Sequence, residues 1–274
     1  MSTRMAEAQT LEDTEASCVV LHIPHASTVI PEDVRQHFVP DDSAIDHDVF
    51  RLTDHFTDEL FQLENLPVRR LVYSVSRMVC DPERFDDDEL EPCSRIGFGV
   101  VYTATTTAEI LRKKPDTVER SDLLDRFYRP HHQLLEEAVA ASIKRHGRCL
   151  ILDCHSFPSD PLPFANDSID PIDYPDICLG TDRFHTPRPL AESCQQLFQT
   201  EGFRTAVDIP FSGTIVPLAR HGRDRRVASI MIEVNRDLYM ERLPPLRKIT
   251  GFGNVSASLQ RVICRIANDF IAEG

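Results

Sequence analysis

The run Cys149-Leu150-Ile151-Leu152-Asp153-Cys154-His155-Ser156 constrains this chain more than any other stretch. Four apolar residues lead into Asp-Cys-His-Ser, with Gly147 before the run and Pro158 after it. A short continuous apolar run between breakers predicts a buried strand of a parallel sheet. Polar groups at the end of such a strand are costly unless they are paired or put to use. The carboxyl ends of parallel strands are also where open α/β sheets bind ligands. His155 therefore stands where a catalytic or metal-ligating imidazole would stand. The plainer alternative is a histidine that only hydrogen-bonds a loop.

Two distant stretches repeat the arrangement. Residues 18–25 read as a strand ending in His25, and residues 228–236 read as a strand carrying Glu233 near its end. If the three strands share one sheet, His25, His155 and Glu233 converge on one edge. Elsewhere strands alternate with helices, which predicts a mixed, mostly parallel sheet with helices on both faces.

Composition narrows the class. The chain has 274 residues, 41% of them hydrophobic, enough for a sizeable core. A net charge of −14 argues against nucleic acid or an anionic membrane as partner. The eight cysteines form no Cys-x-x-Cys pair, and Cys18, Cys149, Cys154 and Cys178, in or beside apolar runs, read as buried thiols in a reducing, cytoplasmic setting. Residues 1–16 are polar and acidic, without the apolar core of a signal peptide, and read as a flexible tail before one domain over 17–274. No apolar run is long enough to span a bilayer. The acidic run Asp86-Asp87-Asp88-Glu89, with Glu91 behind it, reads as a solvated loop.

Between the strands lie further candidates. Asp46 to Glu64 has helical spacing, with Val49, Leu52, Phe56, Leu60 and Leu63 on one stripe and Asp54 beside Phe50 and Phe61. Asp54 is a semi-buried acid or part of a polar helix face. A strand over 68–75 is followed by Arg77, Asp81 and Arg84, a set suited either to gripping a substrate carboxylate or to a surface ion-pair cluster. Residues 97–103 read as a glycine-led strand. Residues 119–146 read as helices interrupted at Pro130, with His131 and His132 near a helix N-terminus, where the neutral imidazole is favoured. The Pro- and Asp-rich loop 157–175 is long enough for a lid. A strand and turn at 176–182, a helix over 187–202, a strand at 203–207, the turn 210–214, a second short strand before His221 and a closing helix over 254–270 complete the pattern.

Catalytic zinc commonly takes three His and carboxylate ligands and leaves one position open. His25 and His155 offer two nitrogens, an acid near Asp54 offers the third ligand, and Glu233 is the candidate base. Asp153 is a candidate to orient a ligand from outside the coordination shell, and His132 is able to face the same site. No Gly-x-Ser-x-Gly elbow supports a serine hydrolase.

Seven motifs then stand in a recognisable order. They are His-x-Pro-His-Ala-Ser at 22–27, Thr-Asp-His-Phe-Thr-Asp-Glu-Leu-Phe at 53–61, Ser-Arg-x-Val-x-Asp-x-x-Arg at 76–84, Tyr-Arg-Pro-His-His at 128–132, Asp-Cys-His-Ser at 153–156, Pro-Phe-Ser-Gly at 210–213 and Glu-Val-Asn-Arg-Asp-Leu-Tyr-Met at 233–240. Together they resemble the N-formylglutamate amidohydrolase family over roughly residues 18–240. The resemblance implies a three-layer α/β/α domain like that of zinc carboxypeptidases and a phosphorylase/hydrolase-like sheet. It implies one Zn(2+) and hydrolysis of N-formyl-L-glutamate to formate and L-glutamate, a step of histidine degradation. It supports His25 and His155 as metal ligands and Glu233 as base. Asp54 matches the family's acidic motif best as third ligand, with Asp46, Asp48 and Asp58 as alternatives. Arg77, Arg84, Asn235 and Arg236 become the expected substrate contacts. The chain departs from the pattern in lacking the carboxypeptidase His-x-x-Glu, in having Glu83-Arg84 where Asn-Arg is frequent, and in its acidic insertion. A carboxypeptidase-like or other N-acyl amino acid deacylase, and a metal-free binding protein, are the competing readings.

Overall fold

The computed structural model describes residues 17–63, 66, 68–165, 170 and 173–272. The tail expected over 1–16 lies outside the described residues, as do Glu64 and parts of the 157–175 loop. Six strands form one sheet: β1 (Val19–Ile23), β2 (Arg69–Val72), β3 (Cys149–Phe157), β4 (Ile177–Gly180), β5 (Thr205–Val207) and β6 (Val227–Asn235). Their order is β2-β1-β3-β6-β4-β5. The first four in that order run parallel, β4 is antiparallel to β6, and β5 is parallel to β4.

Period-two alternation divides the central strands between two layers. Val19, Leu21, Ile23, Leu150, Leu152, Cys154, Ile230, Ile232 and Val234 join one core. It is closed by the helices α3 (Thr57–Leu60), α6 (Arg188–Thr200) and α7 (Phe252–Ala272). Val20, Cys149, Ile151 and Val227 face the other way, onto Leu135, Val139 and Ile143 of α5 (Arg129–His146). The result is a three-layer α/β/α sandwich. On the α5 side, alternation continues past the apolar residues into His22, Asp153, His155 and Glu233, all buried. The functional groups therefore occupy the C-terminal end of one sheet face.

Four expectations about local structure change. The helix expected from Asp46 to Glu64 is two, α2 (Asp42–Leu52) and α3, because Phe56 adopts a left-handed conformation with φ 63°. The interruption expected at Pro130 is present, with α5 starting at Arg129 and Pro130 in its first turn. A π turn over Leu124–Tyr128 joins α4 (Thr117–Leu123) to α5, and its wider bond from the Arg129 amide to the Leu124 carbonyl accommodates the missing proline N–H. Residues 97–103 form no strand. Gly97, at φ 85°, turns the chain back so that the Thr103 amide donates to its own carbonyl at 2.8 Å. The short strand before His221 is also absent. The Ile215 amide donates to Asp153 Oδ2 at 2.9 Å, and its carbonyl accepts from Ser229 Oγ at 2.8 Å, so side chains replace a ladder. The acidic run is only partly solvated: Glu91 is buried and accepts from the Phe85 and Cys93 amides, capping the 3-10 helix Pro92–Ile96.

Candidate metal centre and active site

His25 lies two residues beyond β1, and its carbonyl accepts from the Asp54 amide at 2.9 Å. This bond, with Thr57 Oγ1 donating to the Asp54 carbonyl, fixes the α2–α3 turn against the end of β1. The left-handed Phe56 lets that turn project Asp54 inward instead of continuing a helix. His155 arrives from β3, directly paired in register with Glu233 of β6.

Three atoms meet there. His25 Nδ1 and His155 Nδ1 are 3.2 Å apart, and Asp54 Oδ2 is 3.2 Å from the latter and 3.6 Å from the former. The far nitrogen of each imidazole is held by its own aspartate. His25 Nε2 lies 2.9 Å from Asp81 Oδ1, and His155 Nε2 lies 3.0 Å from Asp153 Oδ1. In the neutral tautomer in which each Nε2–H donates to its carboxylate, the Nδ1 lone pair of each ring is free to face Asp54 Oδ2. Three acceptors converging without a donor fit a cation, and two imidazoles with one carboxylate suit zinc. Of the alternative acids, Asp46 and Asp58 are exposed, while Asp48 is buried but accepts from Thr106. Only Asp54 reaches the two imidazoles.

Electrostatics keep Asp54 and Asp81 ionised. Burial alone would raise the Asp54 pKa, but the adjoining His155 and His25 and the Arg236 charge hold it well below the usual carboxylate range. Asp81 is likewise held low, against its burial, by Arg77, His25 and Arg84. Burial favours neutral His155, yet the adjoining Asp153 charge and the bonds to Asp153 and Asp54 hold its pKa well up. Glu233 moves the other way. Burial pushes it up to about 8, the Asp54 charge adds to this, and His155 opposes it. Its Oε2 is buried without a hydrogen-bond partner and the residue borders the cavity.

Behind the two imidazoles runs a buried network. Asp153 Oδ1 also meets His22 Nδ1 at 2.9 Å, and His22 Nε2 meets His131 Nε2 at 2.8 Å. Glu83 Oε1 is 3.2 Å from His22 Nδ1. His131 is thus the α5 histidine that reaches the network. His132 borders the cavity, but its Nε2 donates to the Pro82 carbonyl and touches neither imidazole ligand.

The cavity of about 570 Å³ opens over His25, Asp54, His155 and Glu233. Both expected arginines border it, with different commitments. Arg77 donates twice to Asp81 Oδ2, at 3.1 and 2.8 Å, and once to Tyr102 Oη at 2.9 Å. Arg84 gives its Nε to the Phe98 carbonyl and lies over Phe164 at 5.1 Å, and its terminal nitrogens have no partner among the described residues. Asn235 and Arg236, expected as substrate contacts, are not among the residues lining the cavity and pair with other groups. Asn235 caps the short turn Arg236–Leu238 and donates to the Pro175 carbonyl. Arg236 donates to Asp54 Oδ1 at 3.0 Å, the Arg51 carbonyl and Ser156. Sequence reasoning read Asp81 only as an arginine partner and did not single out His22. Their only signals were a lone acid inside Ser-Arg-x-Val-x-Asp and a histidine within an apolar strand, and neither reveals its partner without the fold.

A family model described as N-formylglutamate amidohydrolase matches residues 17–240. Among solved structures, the N-formylglutamate amidohydrolase from Ralstonia eutropha JMP134 superposes with a TM-score of 0.78 at 25% identity, over 95% of this chain and 96% of that one. A gene product of Agrobacterium tumefaciens superposes with a TM-score of 0.65 at 17% identity, over 94% of each chain, a likeness of fold. No curated protein matches the sequence.

Proposed function

The chain belongs to the N-formylglutamate amidohydrolase family, and from this we propose that it hydrolyses N-formyl-L-glutamate to formate and L-glutamate with one zinc ion. The observation that carries the reading is the convergence of two carboxylate-backed imidazoles and Asp54 beside an unpartnered Glu233 oxygen. His25, Asp54 and His155 would hold the ion. When bound, zinc would lower the pKa of a water toward ~7 and polarise the amide carbonyl.

The chain's own residues do the rest. Glu233 takes a proton from the water and returns it to the leaving nitrogen. The water oxygen bonds to the formyl carbon, the C–N bond breaks, and both water protons finish on the glutamate nitrogen. Asp81 and Asp153 keep the ligand imidazoles in one tautomer and orientation. The terminal nitrogens of Arg84 grip a substrate carboxylate, while Arg77 acts mainly by holding Asp81.

We take the cytoplasm as its location, supported by eight free cysteines. The test pairs metal analysis of the purified protein with formate release from N-formylglutamate. About one zinc per chain, with activity lost on chelation and restored by zinc, supports the reading. Full activity in metal-free protein, or no cleavage by the zinc-loaded protein, would overturn it.

A further inference from the structure

The cavity is larger than N-formylglutamate requires. Its 570 Å³ lies within the range of about 300–1,000 Å³ that suits drug-sized ligands, whereas N-formylglutamate has only about a dozen non-hydrogen atoms. The walls also differ in chemistry. One is built by the segment after β2 and carries Arg77, Glu83, Arg84 and Glu91. The other is built by Pro210–Leu218, which contains no charged side chain and contributes Phe211, Ile215, Val216 and Leu218.

Strand order sets these walls on either side of the reactive groups. The charged segment leaves β2, beside β1. The neutral segment is tied to β6 through Thr214 and Ser229 at 2.7 Å, and to β4 through the Gly213 amide and the Thr181 carbonyl at 3.2 Å. Between them lie His25, His155 and Glu233, and Met231 extends the apolar lining along β6. With Arg84 on one wall and the Pro210–Leu218 segment on the other, a substrate whose carboxylate meets Arg84 and whose amide lies at His25, His155 and Glu233 has its acyl group on the side of the Pro210–Leu218 wall. That wall has apolar surface and space well beyond a formyl hydrogen.

We propose, resting on the amidohydrolase reading above, that the site also hydrolyses N-acyl amino acids whose straight aliphatic acyl groups are longer than formyl and lie on this apolar wall. The chemistry balances as for formyl. The water oxygen joins the acyl carbon, the C–N bond breaks, and the products are a short fatty carboxylate and the free amino acid as its ammonium form.

The test compares kcat/KM for N-formyl-, N-acetyl-, N-butyryl- and N-hexanoyl-L-glutamate with the zinc-loaded enzyme. Burial of each added methylene predicts a rise of about two- to fourfold along the longer members, so that hexanoyl equals or exceeds formyl. Ser212→Phe, which fills the neutral wall, should lower the hexanoyl-to-formyl ratio about tenfold. Cleavage of the formyl compound with a tenfold or greater loss at hexanoyl overturns this inference and leaves the deformylase reading intact. Failure to cleave any of the four overturns both.

Discussion

His25 Nε2 lies 2.9 Å from Asp81 Oδ1, a contact between residues 56 positions apart that decides which nitrogen of His25 faces Asp54. Asp81 in turn is gripped by Arg77. A carboxylate in this position fixes the imidazole tautomer and raises its basicity as a ligand.

Asp81→Asn should therefore weaken zinc binding by about 10–100-fold, the usual effect of losing such a partner. Competition against a chromophoric chelator measures it. Unchanged affinity would mean that Asp81 serves only to pair Arg77.

The two arginines should separate in kinetics. Arg84→Ala should raise KM for N-formylglutamate by about 10–100-fold, the worth of a charge-assisted hydrogen bond, and should scarcely affect the corresponding formylated diamide, which has no carboxylate. Arg77→Ala should resemble Asp81→Asn, with zinc affinity falling. Equal KM changes on both substrates for Arg84→Ala would remove it from recognition.

Glu233→Gln should keep its zinc and its fold while kcat falls by ~10²–10⁴-fold, the contribution of general acid–base catalysis. A base must be ionised, so kcat/KM should rise with pH as Glu233 loses its proton. Its pKa is lifted above 4.5 toward about 8, and a neighbouring divalent cation pulls it back, so the rise should fall between those values. Loss of zinc from the Gln variant would make Glu233 a ligand instead.

His22 gives a stability prediction. Burial works against its charge, but hydrogen bonds to Asp153 and Glu83 outweigh this and lift its pKa from 6.5 to about 9. A raised folded-state pKa stabilises fully below the unfolded value, and the gain is lost as pH rises through the folded one. On the order of 3 kcal/mol should thus disappear between pH 6.5 and about 9. Denaturant titrations across this range should show the loss in the native protein and a flatter profile in His22→Gln. Parallel profiles would show that His22 does not carry the charge.

The strand-end groups were legible in the sequence because the strands are buried on both faces. An unbroken apolar run that ends in His155, or contains Glu233, marks a buried strand, and a polar group there must be paired or used. The turn that presents Asp54 was hidden, since the apolar stripe from Val49 to Leu63 runs through a backbone break that depends on one left-handed residue, Phe56. The partners of Asp81 and Arg236 were hidden for a shared reason: only the tertiary fold brings one beneath His25 and the other beneath Asp54. Residues 97–103 have strand composition but no neighbouring strand to pair with, so local preference gave way to the turn at Gly97.

Arg236 spans 182 residues to reach Asp54 and also holds Ser156, so the late, middle and early parts of the chain close on one guanidinium. The proposed ligands are themselves separated by 130 positions between His25 and His155. No short fragment of this chain contains a complete donor set. Under that ligand assignment, metal retention becomes a gauge of whole-sheet assembly. A protease cut anywhere between the donors, or a mutation that loosens β3 from β6, would register as zinc released before secondary structure is lost.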